Sequence, residues 1–332
     1  MNFSRSHIIL VTAIALSLTA CGGGGSDDEN NPGANPNPNP GTTPIVPVPS
    51  TPAVMPGVPV TYAPESLSAT ALDYVNRSIT NCGYNSMTSV TDLTTAAKNH
   101  ANYVALDGYK NGHDEAPNKP GFTGASHYER IKAAGGSEDR AQAASEGVGN
   151  LGVIQGRAGI NLLSAPLHQA DLLRQWSEIG VGAAPYTDGT GASVVLVYGG
   201  TQLNTVPAHG VRTFPCAGTV DLAGQGGPET PDPFPGLNGE FGPGLNFETN
   251  KGGVIVVDSI TLRNEATGQM VPVMEVKGHN LTGQAWRSMY VSRGYLTDNT
   301  SYRVEARGKT FATTNGNDSP VAWERNYSFK TF

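Results

Sequence analysis

Three cysteines are the residues of this sequence whose positions most directly indicate chemistry. Cys21 closes an N-terminal stretch in which the basic Arg5 precedes an apolar segment at residues 8–18, followed by small residues. A basic start, a short apolar core and a small-residue cleavage site are typical of a secretory signal peptide, and this core is too short to span a bilayer as a helix. The sequence therefore predicts a signal peptide over residues 1–20 and export of the chain that follows.

The residues that lead to this first cysteine, Leu18-Thr19-Ala20-Cys21, resemble the lipobox of bacterial lipoproteins. The resemblance implies that the Cys21 thiol is acylated and that several acyl chains hold the mature N-terminus, because one chain alone anchors weakly. Gly22 follows the cysteine, which resembles an outer-membrane address in lipoproteins. We expect a lipid anchor in the bacterial cell envelope, in the outer membrane, facing the periplasm or the surface. An ordinary secretion signal is the alternative.

Residues 21–64 contain few side chains that could form a core. They include a Gly-Gly-Gly-Gly-Ser run, an acidic triplet, Asn-Pro repeats and a Pro-Ile-Val-Pro-Val-Pro tract. Gly/Ser runs are flexible and proline tracts favour extended polyproline II, so we predict a disordered tether. The net charge of the chain is −7, which offers no basic patch for nucleic acid.

The other two cysteines, Cys82 and Cys216, form an even pair once lipidation has consumed Cys21. Exported chains meet an oxidising compartment, where such pairs form disulfides. We predict a Cys82–Cys216 disulfide that closes the first folded domain. Two buried free thiols are the alternative.

The chain beyond the tether is long enough for two domains, and we place a proline-rich linker at 217–235. In the first domain, apolar residues at helical spacing predict helices at 65–82, 88–106, 128–134 and 162–176. A Val/Leu-rich run at 193–198 predicts a buried strand. Helices and strands are mixed without simple alternation, so the predicted class is α+β.

Several short motifs of this domain, residues 65–216, together resemble the bacterial form of the CAP superfamily, the cysteine-rich secretory protein, antigen 5 and pathogenesis-related 1 group. In chain order they are Leu93-Thr94-Thr95-Ala96-Ala97-Lys98-Asn99-His100-Ala101, Gly112-His113-Asp114-Glu115, Pro120-Gly121-Phe122-Thr123-Gly124, Glu129-Arg130, Ala134-Gly135, Glu146-Gly147, His168 and Glu178-Ile179-Gly180-Val181-Gly182. The resemblance implies an α-β-α sandwich in which two histidines and acidic residues converge in a solvent-facing cleft. It maps them onto His113, His168 and Glu146, with Glu115 as a fourth member whose family counterpart can come from a different segment.

Such a set permits two kinds of chemistry. His113 and His168 suit a divalent metal such as Zn²⁺ that keeps an open position for water. Alternatively, a His–Glu pair moves protons when the glutamate tunes the imidazole. The chain lacks the Gly-X-Ser-X-Gly elbow of α/β-hydrolases and the His-Glu-X-X-His pair of zinc proteases. His100 lies on the apolar face of its helix and is interpreted as a structural histidine.

Two positions depart from the family pattern. Gly147 stands where bacterial members usually have Asn, and Gln169 stands where they usually have Arg. Both neighbours help to orient the family cavity, so these departures favour a cleft that has lost its original chemistry.

The C-terminal region, residues 236–332, changes to short β-prone segments separated by turn signals. The segments lie at 253–257, 259–262, 270–276, 288–291, 302–306 and 323–329. This pattern predicts a β-sandwich. The stretch at 296–304, together with Trp323 and the final Ser328-Phe329-Lys330-Thr331, resembles bacterial Ig-like domains, which act as spacers or contact modules.

Three functions follow from these observations. The first is a binding lipoprotein whose cleft holds a small ligand, a lipid or a cell-wall component, with or without a divalent metal. The second is a hydrolase that uses His113, His168 and Glu146 for metal-assisted or acid–base chemistry. The third is a surface adhesion or display module with a vestigial cleft, which Gly147 and Gln169 favour.

Overall fold

A computed structural model describes residues 55–106, 112–151, 160–174, 176–189, 191–202, 206–220, 222–278, 281, 283–315 and 317–332. The predicted signal peptide, Cys21 and the tether as far as residue 54 lie outside these residues. Helices and sheets are both present, which confirms the α+β class.

The first part of the described chain builds one sheet and its flanking helices. In chain order the elements are α1 (Leu67–Asn81), β1 (Thr88–Ser89), α2 (Thr91–Leu106), α3 (His127–Ala133), α4 (Glu138–Ala143), β2 (Ser145–Leu151), α5 (Ile160–Ser164), α6 (Pro166–Leu172), β3 (Trp176–Pro185) and β4 (Ala192–Gln202). The strand order is β1-β3-β4-β2. β1 pairs parallel with β3, and the other pairs are antiparallel.

Helices cover both faces of this sheet. The side chains of β4 alternate between the two apolar clusters that the helices form with the sheet. Val195 and Val197 belong to the cluster that contains α2 and α3. Leu196 and Tyr198 point to the opposite cluster, which contains α1 and α5. The close approach of α2 depends on a glycine in β3, since a Cβ on Gly180 would lie 2.0 Å from the Leu93 carbonyl carbon.

Two predicted helices need correction. In the segment predicted as a helix at 88–106, Thr88–Ser89 is a strand that pairs with β3, and the helix starts only at Thr91. The segment predicted at 162–176 breaks at residue 165, because Ala165 is extended before Pro166, the first residue of α6. Trp176 already belongs to β3.

The C-terminal part contains two further four-stranded sheets. Their strands are β5 (Arg212–Phe214), β6 (Leu245–Glu248), β7 (Val254–Asn264), β8 (Met270–Val271), β9 (Val273–Glu275), β10 (Arg287–Ser292), β11 (Ser301–Phe311) and β12 (Val321–Lys330). The sheet orders are β5-β6-β10-β9 and β12-β11-β7-β8. Phe247 of the first sheet stacks on Trp323 of the second at 5.8 Å between ring centroids. The segments predicted separately at 253–257 and 259–262 form one strand, β7.

The two predicted domains belong to one compact unit that covers Pro52–Phe332. One apolar cluster includes residues of α1, β4 and the C-terminal sheets. Buried Arg287 of β10 donates a hydrogen bond to the Leu173 carbonyl oxygen at 2.9 Å and pairs with the Glu248 carboxylate at 2.9 Å. The predicted disulfide between Cys82 and Cys216 is confirmed. The two parts are therefore joined by shared apolar packing and by hydrogen bonds such as that of Arg287.

The last residues of the predicted tether pack on the edge of the first sheet. The Val60 amide donates to the Ser89 carbonyl at 2.9 Å, and the Thr91 amide donates to the Val58 carbonyl at 2.8 Å. The ordered region therefore begins before residue 65, where the tether was predicted to end. No helix in the described part of the chain is long and apolar enough to cross a membrane.

Candidate functional site

The loop that follows α2 is organised around the buried carboxylate of Glu115. Its oxygens accept hydrogen bonds from the Thr123 amide at 2.5 Å and the Gly124 amide at 3.2 Å. The Nδ1 atom of His100, on α2, lies 3.0 Å from the same carboxylate. His100 is fully buried, as a structural histidine should be, and its partners tie the loop to the helix. Glu115 therefore holds the loop that carries His113, without lining the cavity itself.

Glu146, near the start of β2, is paired with Arg130 of α3. One guanidinium nitrogen of Arg130 lies 2.8 and 2.9 Å from the two carboxylate oxygens, and both side chains are almost fully buried. The same nitrogen also donates to the His113 carbonyl oxygen at 2.7 Å. Arg130 therefore fixes both the carboxylate and the backbone of the histidine that lies beside it.

The two predicted histidines meet at this point. The Nδ1 atom of His113 lies 3.4 Å from Glu146 Oε1, and the His113 side chain is 41% exposed. The rings of His113 and His168 are nearly parallel, with centroids 5.8 Å apart and an interplanar angle of 17°. The structure thus brings His113, Glu146 and His168 together, as the motif mapping expects.

A carboxylate from the predicted linker completes the site. The fully buried Glu229 accepts hydrogen bonds from the backbone amides of Leu167 and His168, at 3.0 and 2.8 Å. Its Oε1 atom also lies 2.6 Å from His168 Nδ1. In each of the two stacked histidines, the Nδ1 atom therefore contacts the carboxylate of a buried glutamate.

The stacked rings open onto a cavity of about 390 Å³. Its polar lining comes from His113, His168, Gln142, Ser145, Glu146, Asp171, Arg174 and Thr230. The Ser145 hydroxyl donates to the Asp171 carboxylate on one wall. The polar wall groups suit a ligand that forms hydrogen bonds, because unpaired polar groups are costly to bury against an apolar ligand.

No protein-family model matches this chain, and no curated protein matches it either.

The charges at the site are set by competition between burial and pairing. Burial raises the pKa of Glu146, but the His113 hydrogen bond and the Arg130 charge outweigh it, so the pKa lies below its ordinary value. Burial likewise raises the pKa of Glu115, whereas hydrogen bonds from His100 and Thr123 bring the pKa below the ordinary value. Both carboxyl groups are therefore ionised at neutral pH.

Gly147, the first departure from the CAP-like pattern, packs close to the side chain of Tyr198. A Cβ at this position would lie 2.8 Å from the Tyr198 hydroxyl oxygen and 3.5 Å from Cδ2 of His168. Burial, followed by the charges of Asp171 and Glu146, raises the pKa of Tyr198 well above its usual value. The tyrosine hydroxyl therefore stays protonated in the space that a side chain at position 147 would need.

The second departure, Gln169, serves the contact between the two parts of the chain. Its side-chain amide donates to the carbonyl oxygens of Leu163 at 2.7 Å and Gly244 at 3.0 Å. The residue is fully buried. Gln169 thus ties α5 and α6 to the segment that leads into β6, and its side chain takes no part in lining the cleft.

The described residues do not fit a catalytic zinc centre. They contain no group of three or more His, Cys, Asp or Glu side chains placed to hold a metal ion. Glu146 is occupied by Arg130, and Asp171, the other carboxylate that lines the cavity, is bonded by Ser145. The remaining candidates among the described residues are two ligands, His113 and His168. Catalytic zinc sites usually have three.

The sequence motifs did not identify Glu229. It lies between prolines in the segment at 217–235, where composition indicates a linker, and no spacing relates it to His168. Arg130 was visible only as part of a motif, without a role. An acidic residue in a proline-rich run gives no signal of a contact that spans 61 positions.

Proposed function

We propose that this chain is an exported, lipid-anchored protein of the bacterial envelope whose cleft binds a small polar ligand, such as a cell-wall component. The observation that carries the proposal is the pair of stacked imidazoles, 5.8 Å apart, that face one polar cavity. Each ring is oriented through Nδ1 by a buried glutamate, which is the arrangement expected of a pre-organised recognition site.

A polar ligand is favoured over a lipid. His113, Gln142, Ser145 and Asp171 line the cavity, and an acyl chain placed against them would leave their hydrogen-bonding groups unpaired. A fragment of peptidoglycan carries the hydroxyl, amide and ammonium groups that such walls can bind. The tether would keep the cleft within reach of the wall.

The CAP assignment belongs to the same proposal. Helices on both faces of a four-stranded sheet support the α-β-α sandwich, and the convergence of His113, His168 and Glu146 supports the family cleft. Two facing four-stranded sheets support an Ig-like C-terminal region.

Calorimetric titration with soluble peptidoglycan fragments tests the binding function. We expect saturable binding by the wild type and a loss of about tenfold or more in the His113→Ala/His168→Ala double variant. His127→Ala is the matched control, because His127 begins α3 and does not line the cavity. Equal affinity in the double variant would show that the two histidines do not contribute to ligand binding.

A second function, acid–base hydrolysis, is favoured by one observation, the contact of each Nδ1 atom with a carboxylate. This arrangement orients a general base. Release of soluble products from purified peptidoglycan, abolished in His168→Ala and retained in His127→Ala, would establish this activity. Binding without product release would leave recognition as the function.

The lipid anchor has its own test. In cells that express the full chain, Cys21→Ser should move the protein from the membrane fraction to the soluble fraction or the medium. A Cys21→Ser protein that stays in the membrane fraction would contradict lipidation at this residue.

A further inference from the structure

Glu229 is buried against hydrogen-bond donors of the first turn of α6. Its two oxygens face the amide N–H groups of Leu167 and His168 and the Nδ1 atom of His168. The backbone groups can only donate, and a carboxylate that accepts from both sides is satisfied in its ionised form. An ionised carboxylate accepts hydrogen bonds and donates none, so the proton between Glu229 and His168 belongs to Nδ1.

The same reasoning applies to His113. Both oxygens of Glu146 accept from the Arg130 guanidinium, so this carboxylate is also ionised and can only accept from His113 Nδ1. A neutral imidazole that carries its proton on Nδ1 has a lone pair on Nε2. Neither Nε2 atom has a hydrogen-bond partner among the described residues.

We propose that Glu229 is a positioning residue that locks His168 in the Nδ1–H form, so that the stacked histidines present two neighbouring Nε2 acceptors. This inference rests on the proposed binding function and narrows it. A ligand that satisfies two adjacent acceptors must carry two adjacent donors. The hydroxyl groups of one sugar ring provide them, whereas an acyl chain does not. The ligand class that fits the cleft is therefore a glycan.

The segment that carries Glu229 also contributes to the cavity wall, since Thr230 and Pro231 line it. Recognition by the cleft thus depends on residues outside the predicted CAP-like domain. A truncated chain that ends at residue 216 would lack the group that sets the tautomer of His168.

Long-range ¹H–¹⁵N spectra of the histidine rings in alkaline buffer test the positioning role without any ligand. We expect His168 in the wild type to carry its proton on Nδ1. In Glu229→Ala the Nε2–H form should predominate, because a neutral imidazole without an anchor favours that form. Glu229→Gln should retain the Nδ1–H form, because its amide oxygen can occupy the Oε1 position.

Asp232→Ala is the matched control from the same segment, since the Asp232 carboxylate accepts a hydrogen bond from the Phe234 amide rather than from the cleft. It should leave the His168 signals unchanged. An Nε2–H tautomer in the wild type would overturn the proposal, and so would an unchanged tautomer in Glu229→Ala.

Titration with the N-acetylglucosamine trisaccharide and its fully O-methylated counterpart tests the ligand class. We expect the native sugar to bind at least about tenfold more tightly than the methylated one, which lacks O–H donors. Glu229→Ala should lose this difference and Glu229→Gln should keep it. Equal binding of both sugars, or no binding of either, would overturn the glycan assignment. Binding of peptidoglycan peptides in that case would leave the broader binding function standing.

Discussion

The guanidinium of Arg130 bonds both carboxylate oxygens of Glu146, at 2.8 and 2.9 Å, where both side chains are shielded from solvent. This pair lies directly beneath His113. It gives the cleft an ionised glutamate whose countercharge is built into α3.

Removing one partner of this ion pair should lower the free energy of unfolding. We expect Arg130→Leu to lower the free energy of unfolding by about 3–5 kcal/mol, because it leaves a buried carboxylate without its countercharge. Urea denaturation measures the change. The control is Arg77→Leu, which breaks the exposed pair with Asp73 and should cost less than about 1 kcal/mol. Similar losses in both variants would show that the buried pair has no special role.

Acid should destabilise the protein because it protonates the buried carboxylates of Glu115 and Glu146. The folded pKa values of Glu115 and Glu146 lie below the ordinary value of 4.5. A carboxyl group with a lowered folded pKa stabilises the fold above its unfolded pKa, and this contribution disappears as the pH falls through the folded value. The free energy of unfolding should therefore fall as the pH drops below about 4.5.

The matched comparison for this pH dependence is between Glu115→Gln and Glu240→Gln. The first variant should flatten the acid side of the stability curve, because the buried group no longer titrates. The second changes an exposed side chain and should leave the slope as in the wild type. An unchanged slope in Glu115→Gln would contradict the lowered pKa.

Gly147 and Tyr198 should be energetically coupled. Gly147→Ala places a methyl group 2.8 Å from the Tyr198 hydroxyl oxygen and should cost about 1–3 kcal/mol of stability by overpacking. Tyr198→Phe removes that oxygen, which lacks a hydrogen-bond partner among the described residues, and should be close to neutral. In a double-mutant cycle, the alanine should cost less when it is combined with Tyr198→Phe than when it is introduced alone. Additive effects would rule out the contact as the cause.

The cysteine count predicted the disulfide, and the resemblance to the CAP pattern implied the convergence of His113, Glu146 and His168. The sequence missed Glu229, since a contact between a proline-rich segment and the first turn of α6 depends on packing rather than on local pattern. It also separated residues that share one core. β5 lies before the predicted boundary at 217–235, yet it pairs with β6 beyond it.

This shared core predicts one unfolding transition. Arg287 bonds the Leu173 carbonyl and Glu248, and Gln169 bonds the Gly244 carbonyl, so neither part can open without exposing buried polar groups of the other. We expect a single cooperative transition by calorimetry and by tryptophan fluorescence. Deletion of residues 236–332 should leave the remainder unfolded. Two separate transitions, or a folded N-terminal fragment, would contradict this coupling.

Ligand binding in the cleft is tested most directly by the response of the histidine ring signals to soluble peptidoglycan fragments in NMR titration. Binding in the cleft predicts saturable shifts of the His113 and His168 signals, while the signals of His209, which contacts Thr310 elsewhere, stay in place. Fragments that bind without moving the signals of His113 and His168, or that do not bind at all, would contradict the proposed function.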